Sequence, residues 1–214
     1  DNVDGRIFLL AIMHEHASSM MFAHHTRQIR IALKSPDVID DLRAFTIRRA
    51  TSLPLYGEAA TLATLRSRFP YIMDEQFRPL PGTTRPEGTL MPIQAGVPFT
   101  VKDAEVLPIA VPHGHASVVG YRVGDIAYIT DAQRLPDTAR AALVGVRVLV
   151  LNALLRHPHP THLSIAEAVA VAQEIGAERT YLTHLTHENP HADLTADSPA
   201  GLEPAYDGLV VSLS

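Results

Sequence analysis

The stretch "VVGYRVGDIAYITDA" (Val118–Ala132) decides how this chain is read. Two β-rich runs flank Gly124-Asp125, a pair suited to a two-residue hairpin turn. The second run is apolar and stops at Thr130-Asp131, so a carboxylate follows a strand-like run directly. Working outward, the same grammar recurs. "FTVKDAEVLPIAVP" (Phe99–Pro112) reads as two strands around a Lys-Asp turn. "LPDTARAAL" (Leu135–Leu143) reads as a short helix with Pro136 near its first turn. "VRVLVLNAL" (Val146–Leu154) is a continuous apolar run, as in a strand buried on both faces.

"SIAEAVAVAQEIG" (Ser164–Gly176) predicts an amphipathic helix. Ser164 is its N-cap, Glu167 completes a capping box, and Gly176 follows its end. "RTYLTHL" (Arg179–Leu185) and "YDGLVVSL" (Tyr206–Leu213) predict further strands. Upstream, "SLPLYG" (Ser52–Gly57) predicts a strand, "EAATLATLRSRF" (Glu58–Phe69) a packing helix, and "IFLLAIM" (Ile7–Met13) a buried strand. The Pro- and Gly-rich segment Arg78–Pro98 is expected to be an irregular surface crossing. Strands alternating with helices, with a hairpin among them, imply a layered α/β fold with a mixed sheet.

Composition narrows the chemistry. The chain has no cysteine, which excludes disulfides and thiolate metal sites and fits a reducing, cytoplasmic compartment. Any metal would be held by imidazole and carboxylate, and twelve histidines make that choice available. Such ligands suit zinc, manganese or iron. A net charge of −5 argues against a general nucleic-acid footprint. No apolar run reaches the ~18 residues of a membrane span, and Ile7–Met13 lacks the flanks of a signal peptide.

Position is the sharper signal. His113, Asp131, His162 and His184 each fall at or just past the C-terminal end of a strand-like run. Strand ends in α/β folds aim loop residues at one rim. Any one of these histidines alone is an ordinary surface or capping residue. Four polar groups at four strand ends could converge on one metal.

These pieces resemble a known family. "DDLRAF" (Asp40–Phe45), "VPHG" (Val111–Gly114), "GYRVGDIAYITDA" (Gly120–Ala132), "HPTHLSIAEA" (His159–Ala168), "YLTHLTH" (Tyr181–His187) and "AYDGL" (Ala205–Leu209) occur in family order. Together they resemble metallo-β-lactamase-fold hydrolases, above all the phosphoribosyl cyclic phosphate phosphodiesterases. The resemblance implies a four-layer αββα sandwich with mixed sheets in a single domain over 1–214, with 1–39 divergent. It implies two zinc ions, a small cyclic phosphate ester as substrate, and allows a homodimer.

By the same resemblance, His113 is a ligand of the first metal, Asp131 the bridging carboxylate and His184 a ligand of the second. His162 is the catalytic histidine that hands a proton to the leaving oxygen. His187 resembles a ligand of a structural zinc that otherwise needs cysteines, so here it is expected at the surface.

The family's His-x-His-x-Asp-His signature is incomplete. "IMHEHASSMM" (Ile12–Met21) offers His14 and His16, with Ser18 and Ser19 where Asp and His belong. Two accounts stay open. His14 and His16 join His113 and Asp131 on one metal, leaving the second short of ligands unless His24 or His25 folds back. Otherwise the N-terminal part is shortened or rearranged and the site has lost one or both metals. The function expected is a metal-dependent phosphodiesterase. The alternatives are a tRNA-processing-type nuclease of the same fold and a degenerate, non-catalytic member.

Overall fold

The computed structural model describes residues 7–11, 19–25, 28–34, 52–74, 76–85 and 87–212. The chain divides into two compact units, Asp1–Gln94 with Asp207–Ser214, and Ala95–Tyr206.

In the first unit, β1 (Ile7–Ala11), β2 (Ser19–His25) and β3 (Gln28–Lys34) form an antiparallel meander. The chain's last strand, β13 (Val210–Ser212), pairs antiparallel with β3. A second pair, β4 (Leu53–Gly57) and β5 (Gly88–Pro92), is parallel. The segment expected to be irregular therefore contains a strand. A parallel pair needs a long crossover, and α1 (Ala59–Arg68) with α2 (Pro70–Met73) lies within that connection. Gly88 explains how β5 fits: a Cβ there would lie 2.5 Å from Leu55 Cδ1. Leu55 and Leu65 form the local core, with Phe69, Met73 and Leu90 packed against them.

The second unit holds a seven-stranded mixed sheet. β6 (Phe99–Val101), β7 (Ala104–His113), β8 (Ala116–Val123) and β9 (Ile126–Ile129) are successive antiparallel neighbours. From β9 the sheet turns parallel through β10 (Val148–Asn152), β11 (Arg179–Thr183) and β12 (Leu202–Pro204). Three helices make the crossovers: α3 (Asp137–Leu143), α4 (Ile165–Ile175) and α5 (His191–Asp197). The hairpin turns at Gly124-Asp125, with Val123 opposite Ile126 and Gly124 at φ 55°. All five residues of β10 are buried, as a strand flanked by parallel neighbours requires.

α4 has its predicted ends. The Ser164 side chain accepts from the Glu167 amide, Glu167 reaches back to the Ser164 amide, and Gly176 closes the helix at φ 69°. Arg122 donates to the carbonyls of Ala142 and Val144 at 2.7 and 2.8 Å. It thereby satisfies carbonyls at the C-terminal end of α3, which have no helical donor of their own. No helix among the described residues is long and apolar enough to cross a membrane.

The topology fixes the rim. β7 and β9 are both antiparallel to β8, so they run in the same direction, and β10 and β11 follow β9. The C-terminal ends of β7, β9, β10 and β11 therefore lie along one edge of this sheet.

Candidate metal centre

Four of the residues expected at the site are brought together on that rim. Asp131 lies two residues past β9, His184 immediately past β11, and His113 is the last residue of β7. His162 arrives on the loop between β10 and α4. Its Nε2 is 3.1 Å from Asp131 Oδ1, and His184 Nε2 is 3.2 Å from the same oxygen. The rings of His162 and His184 stack at 4.8 Å, and His113 meets His162 edge-on at 4.7 Å. One donor atom each from Asp131, His162 and His184 lies within 4.8 Å of the others. The two shorter separations approach the ~3.4 Å between ligands of a tetrahedral ion with ~2.1 Å bonds.

The carboxylate carries the test of metal fit. Asp131 is 6 % exposed, and its Oδ2 is buried without a hydrogen-bond partner. A buried carboxylate oxygen left unsatisfied is costly, and a cation removes that cost. Burial by itself would raise the Asp131 pKa. The His162 hydrogen bond and the charges of His184, His162 and His113 outweigh it and hold the carboxyl below its ordinary value. Burial first, then the Asp131 charge, pushes the phenol of buried Tyr128 well above its usual range.

His113 is already oriented as a ligand. Its Nδ1 is 3.1 Å from the Thr161 carbonyl oxygen, which can only accept. Nδ1–H therefore faces that carbonyl, which leaves Nε2 as the ring atom open to a metal. Ligating histidines commonly have this arrangement. The residues thus fit a divalent ion with nitrogen and oxygen preference.

Backbone bonds tie the four loops to one another. The Gln133 amide donates to Pro112 O, Leu163 N to Ala132 O, and Ala153 N to Thr183 O, at 2.8 to 2.9 Å. Asn152, the last residue of β10 and fully buried, grips Ala132 from both sides. Its Oδ1 accepts from Ala132 N at 2.9 Å and its Nδ2 donates to Ala132 O at 3.1 Å. Sequence reading passed over Asn152; the signal was there, an amide ending an otherwise apolar run. It also passed over Thr161, whose hydroxyl lies 2.7 Å from His162 Nδ1.

The remaining candidates separate. His14 and His16, with Ser18, lie outside the described residues. His24 and His25 belong to β2. His187, His115, His157 and His191 are exposed. His159 is half-buried beside His162, their Nδ1 atoms 3.3 Å apart. Burial first, then the charges of His162, His157 and His113, lowers the His159 pKa.

Known proteins share this arrangement of the chain. A diphosphatase of the PhnP family is similar in structure, with TM-score 0.72 and 31% identity, over 82% of this chain and 66% of that one. Octanoyltransferase of Porphyromonas gingivalis is 32% identical over 173 residues. That match covers 80% of this chain but 34% of the relative, so this chain spans about a third of that protein. Zn(2+)-bound PqqB of Methylobacterium extorquens shares the fold at 17% identity and TM-score 0.64, over 90% of this chain and 88% of that one. The family model described as "Beta-lactamase superfamily domain" matches residues 18–185. The chain belongs to that superfamily and has the metallo-β-lactamase fold, with mixed sheets.

Proposed function

We propose that this chain is a metal-dependent hydrolase that cleaves a phosphorus–oxygen bond, in the first instance that of a small cyclic phosphate ester. The observation that carries the reading is the buried, unpartnered Oδ2 of Asp131 on a carboxylate flanked by the imidazoles of His162 and His184. His113, Asp131 and His184 would hold the ion, with His14 and His16 as further candidate ligands. Imidazole and carboxylate donors suit zinc, and manganese or iron as well; zinc is the ion named for PqqB. When bound, such an ion lowers the pKa of a coordinated water to about 7 and draws charge off the phosphate oxygens.

The chain's own residues supply the rest. Water oxygen attacks phosphorus, the ester P–O bond breaks, and the leaving alkoxide needs a proton. His162 stands beside the carboxylate with its side chain 11% exposed, placed to supply that proton.

Elemental analysis combined with turnover of bis-p-nitrophenyl phosphate tests the reading. Bound metal with hydrolysis is expected, and His162→Ala should cost about 10²–10⁴-fold in rate while leaving the metal in place. A metal-free chain without turnover would sink the proposal. The same assay on a phosphoric anhydride covers the substrate class in the diphosphatase's name.

A further inference from the structure

Strand register extends the rim to a residue outside the cluster. Ile129 pairs with Leu151, Leu151 with Leu182, and Leu182 with Pro204, across four parallel strands. Two residues further along each strand stand Asp131, Ala153, His184 and Tyr206. Asp131 and His184 belong to the cluster, and Ala153 between them in the row is fully buried. Tyr206 ends the row and is 56 % exposed. The ladder runs almost to it, since the Ala205 amide donates to Leu182 O at 2.7 Å. Neighbouring strands lie about 4.8 Å apart, so the Tyr206 backbone is about one strand spacing from that of His184.

Three large apolar side chains are exposed among the described residues of this unit: Val97, Val144 and Tyr206. The two valines are aliphatic and stand in turns. Tyr206 is aromatic, stands on the rim, and has an anchored neighbour. His191, the first residue of α5, meets its ring edge-on with centroids 5.9 Å apart. His191 Nε2 is 3.2 Å from the Pro204 carbonyl oxygen, which can only accept, so Nε2–H donates to the strand that carries Tyr206. Thr195 Oγ1 lies 3.4 Å from the other ring nitrogen. An aromatic side chain already braced on one side loses little freedom when a second ring stacks on it.

We infer that Tyr206 is a specificity-determining residue that stacks on a flat ring carried by the phosphate ester, so that the substrate class is a mononucleotide-like ester and not a bare sugar phosphate. The inference rests on the proposed function for placing the phosphate at the cluster. Ala153 marks the middle of the row's metal end, two strand spacings or roughly 10 Å from Tyr206. With the phosphate at that end, a pentose bridges most of the gap and carries its base to the ring. The net charge of −5 disfavours a long polyanion, and one base satisfies one exposed ring.

The test titrates the chain, in the presence of zinc, with adenosine 5′-monophosphate and with ribose 5-phosphate. The two share phosphate and sugar and differ in the base. Calorimetry should show the nucleotide binding about three- to tenfold more tightly, the worth of one aromatic stack. The Tyr206 ring protons, assigned with Tyr206→Phe, should move upfield with the nucleotide and stay in place with the sugar phosphate. Tyr206→Ala should abolish the preference while ribose 5-phosphate binds as before, and Tyr206→Phe should keep it. Equal affinities in the wild type overturn the inference, as does a preference that survives Tyr206→Ala or a failure of both compounds to bind. Turnover of bis-p-nitrophenyl phosphate decides the proposed function separately. A chain that hydrolyses it without a base preference loses only the ring site, and one that prefers the nucleotide without hydrolysis keeps the ring site and loses the reaction.

Discussion

Asn152→Ala isolates the clamp on the Asp131 loop. The side chain is fully buried and makes two hydrogen bonds to one residue, Ala132. Truncation removes both. Ala132 O keeps the Leu163 amide as donor, but Ala132 N–H loses the Asn152 carbonyl that satisfies it. Losing the Nδ2 bond costs about 1 kcal/mol net, and losing the Oδ1 bond, which strands a buried N–H, about 1–3 kcal/mol. The sum is about 2–4 kcal/mol, a large part of a domain's typical ~5–15 kcal/mol. Urea denaturation followed by circular dichroism measures it. With a slope of about 1–3 kcal/mol per molar urea, the midpoint should fall by roughly 1–2 M. Metal affinity should fall with it, because Asp131 is the neighbour of the clamped residue. A loss under about 0.5 kcal/mol, the range of ordinary surface substitutions, would refute the claim that the clamp holds the loop.

Two further outcomes follow from local geometry. Ser164→Ala removes the hydroxyl that accepts from the Glu167 amide and donates to its carboxylate, so stability should drop by about 1 kcal/mol. Hydrogen exchange should quicken in the first turn of α4, and unchanged exchange there would contradict the capping role. For pH, Asp131 has a lowered pKa in the folded chain, so the folded state binds its proton less readily than the unfolded state. Its contribution is present above the unfolded value of about 3.9 and is lost as pH falls through the lower folded value. Asp131→Asn should flatten the acid limb of a stability–pH curve; an identical slope in the variant argues against it.

Much of the sheet was legible because buried parallel strands are written as apolar runs and stop where polarity begins. "AYITD" and "TYLTH" show both the strand and the residue it delivers. The ends of α4 were equally legible, since Ser164, Glu167 and Gly176 each act within one turn. β5 was hidden because its pairing with β4 depends on a distant segment and on Gly88 fitting under Leu55. β12 is three residues long and α5 seven, too short for periodicity to register. Thr161 was illegible for a different reason. Its role comes from a carbonyl and a hydroxyl meeting two rings, one of them forty-eight residues away in the chain. Within "HPHPTH", exposed His157 separates from the half-buried His159 and His162.

Strain and charge point to the same place. Among the described residues, three non-glycine positions have left-handed backbone: Lys102 in the β6–β7 turn, Asp131 at φ 57° and His184 at φ 59°. A left-handed residue other than glycine costs roughly 1–2 kcal/mol. A tight turn accounts for Lys102. Asp131 and His184 instead stand within two residues of strand ends, and their side chains meet, His184 Nε2 at 3.2 Å from Asp131 Oδ1. Neighbouring bonds hold each in place: Asn152 grips the residue after Asp131, and the residue before His184 accepts the Ala153 amide. The fold thus places two strained backbones and the unsatisfied buried Oδ2 of Asp131 within a single cluster. Packing alone gives no return on that combination. Convergent donors for a cation would, because a cation held by Asp131 and His184 would satisfy the buried carboxylate and draw on both strained residues.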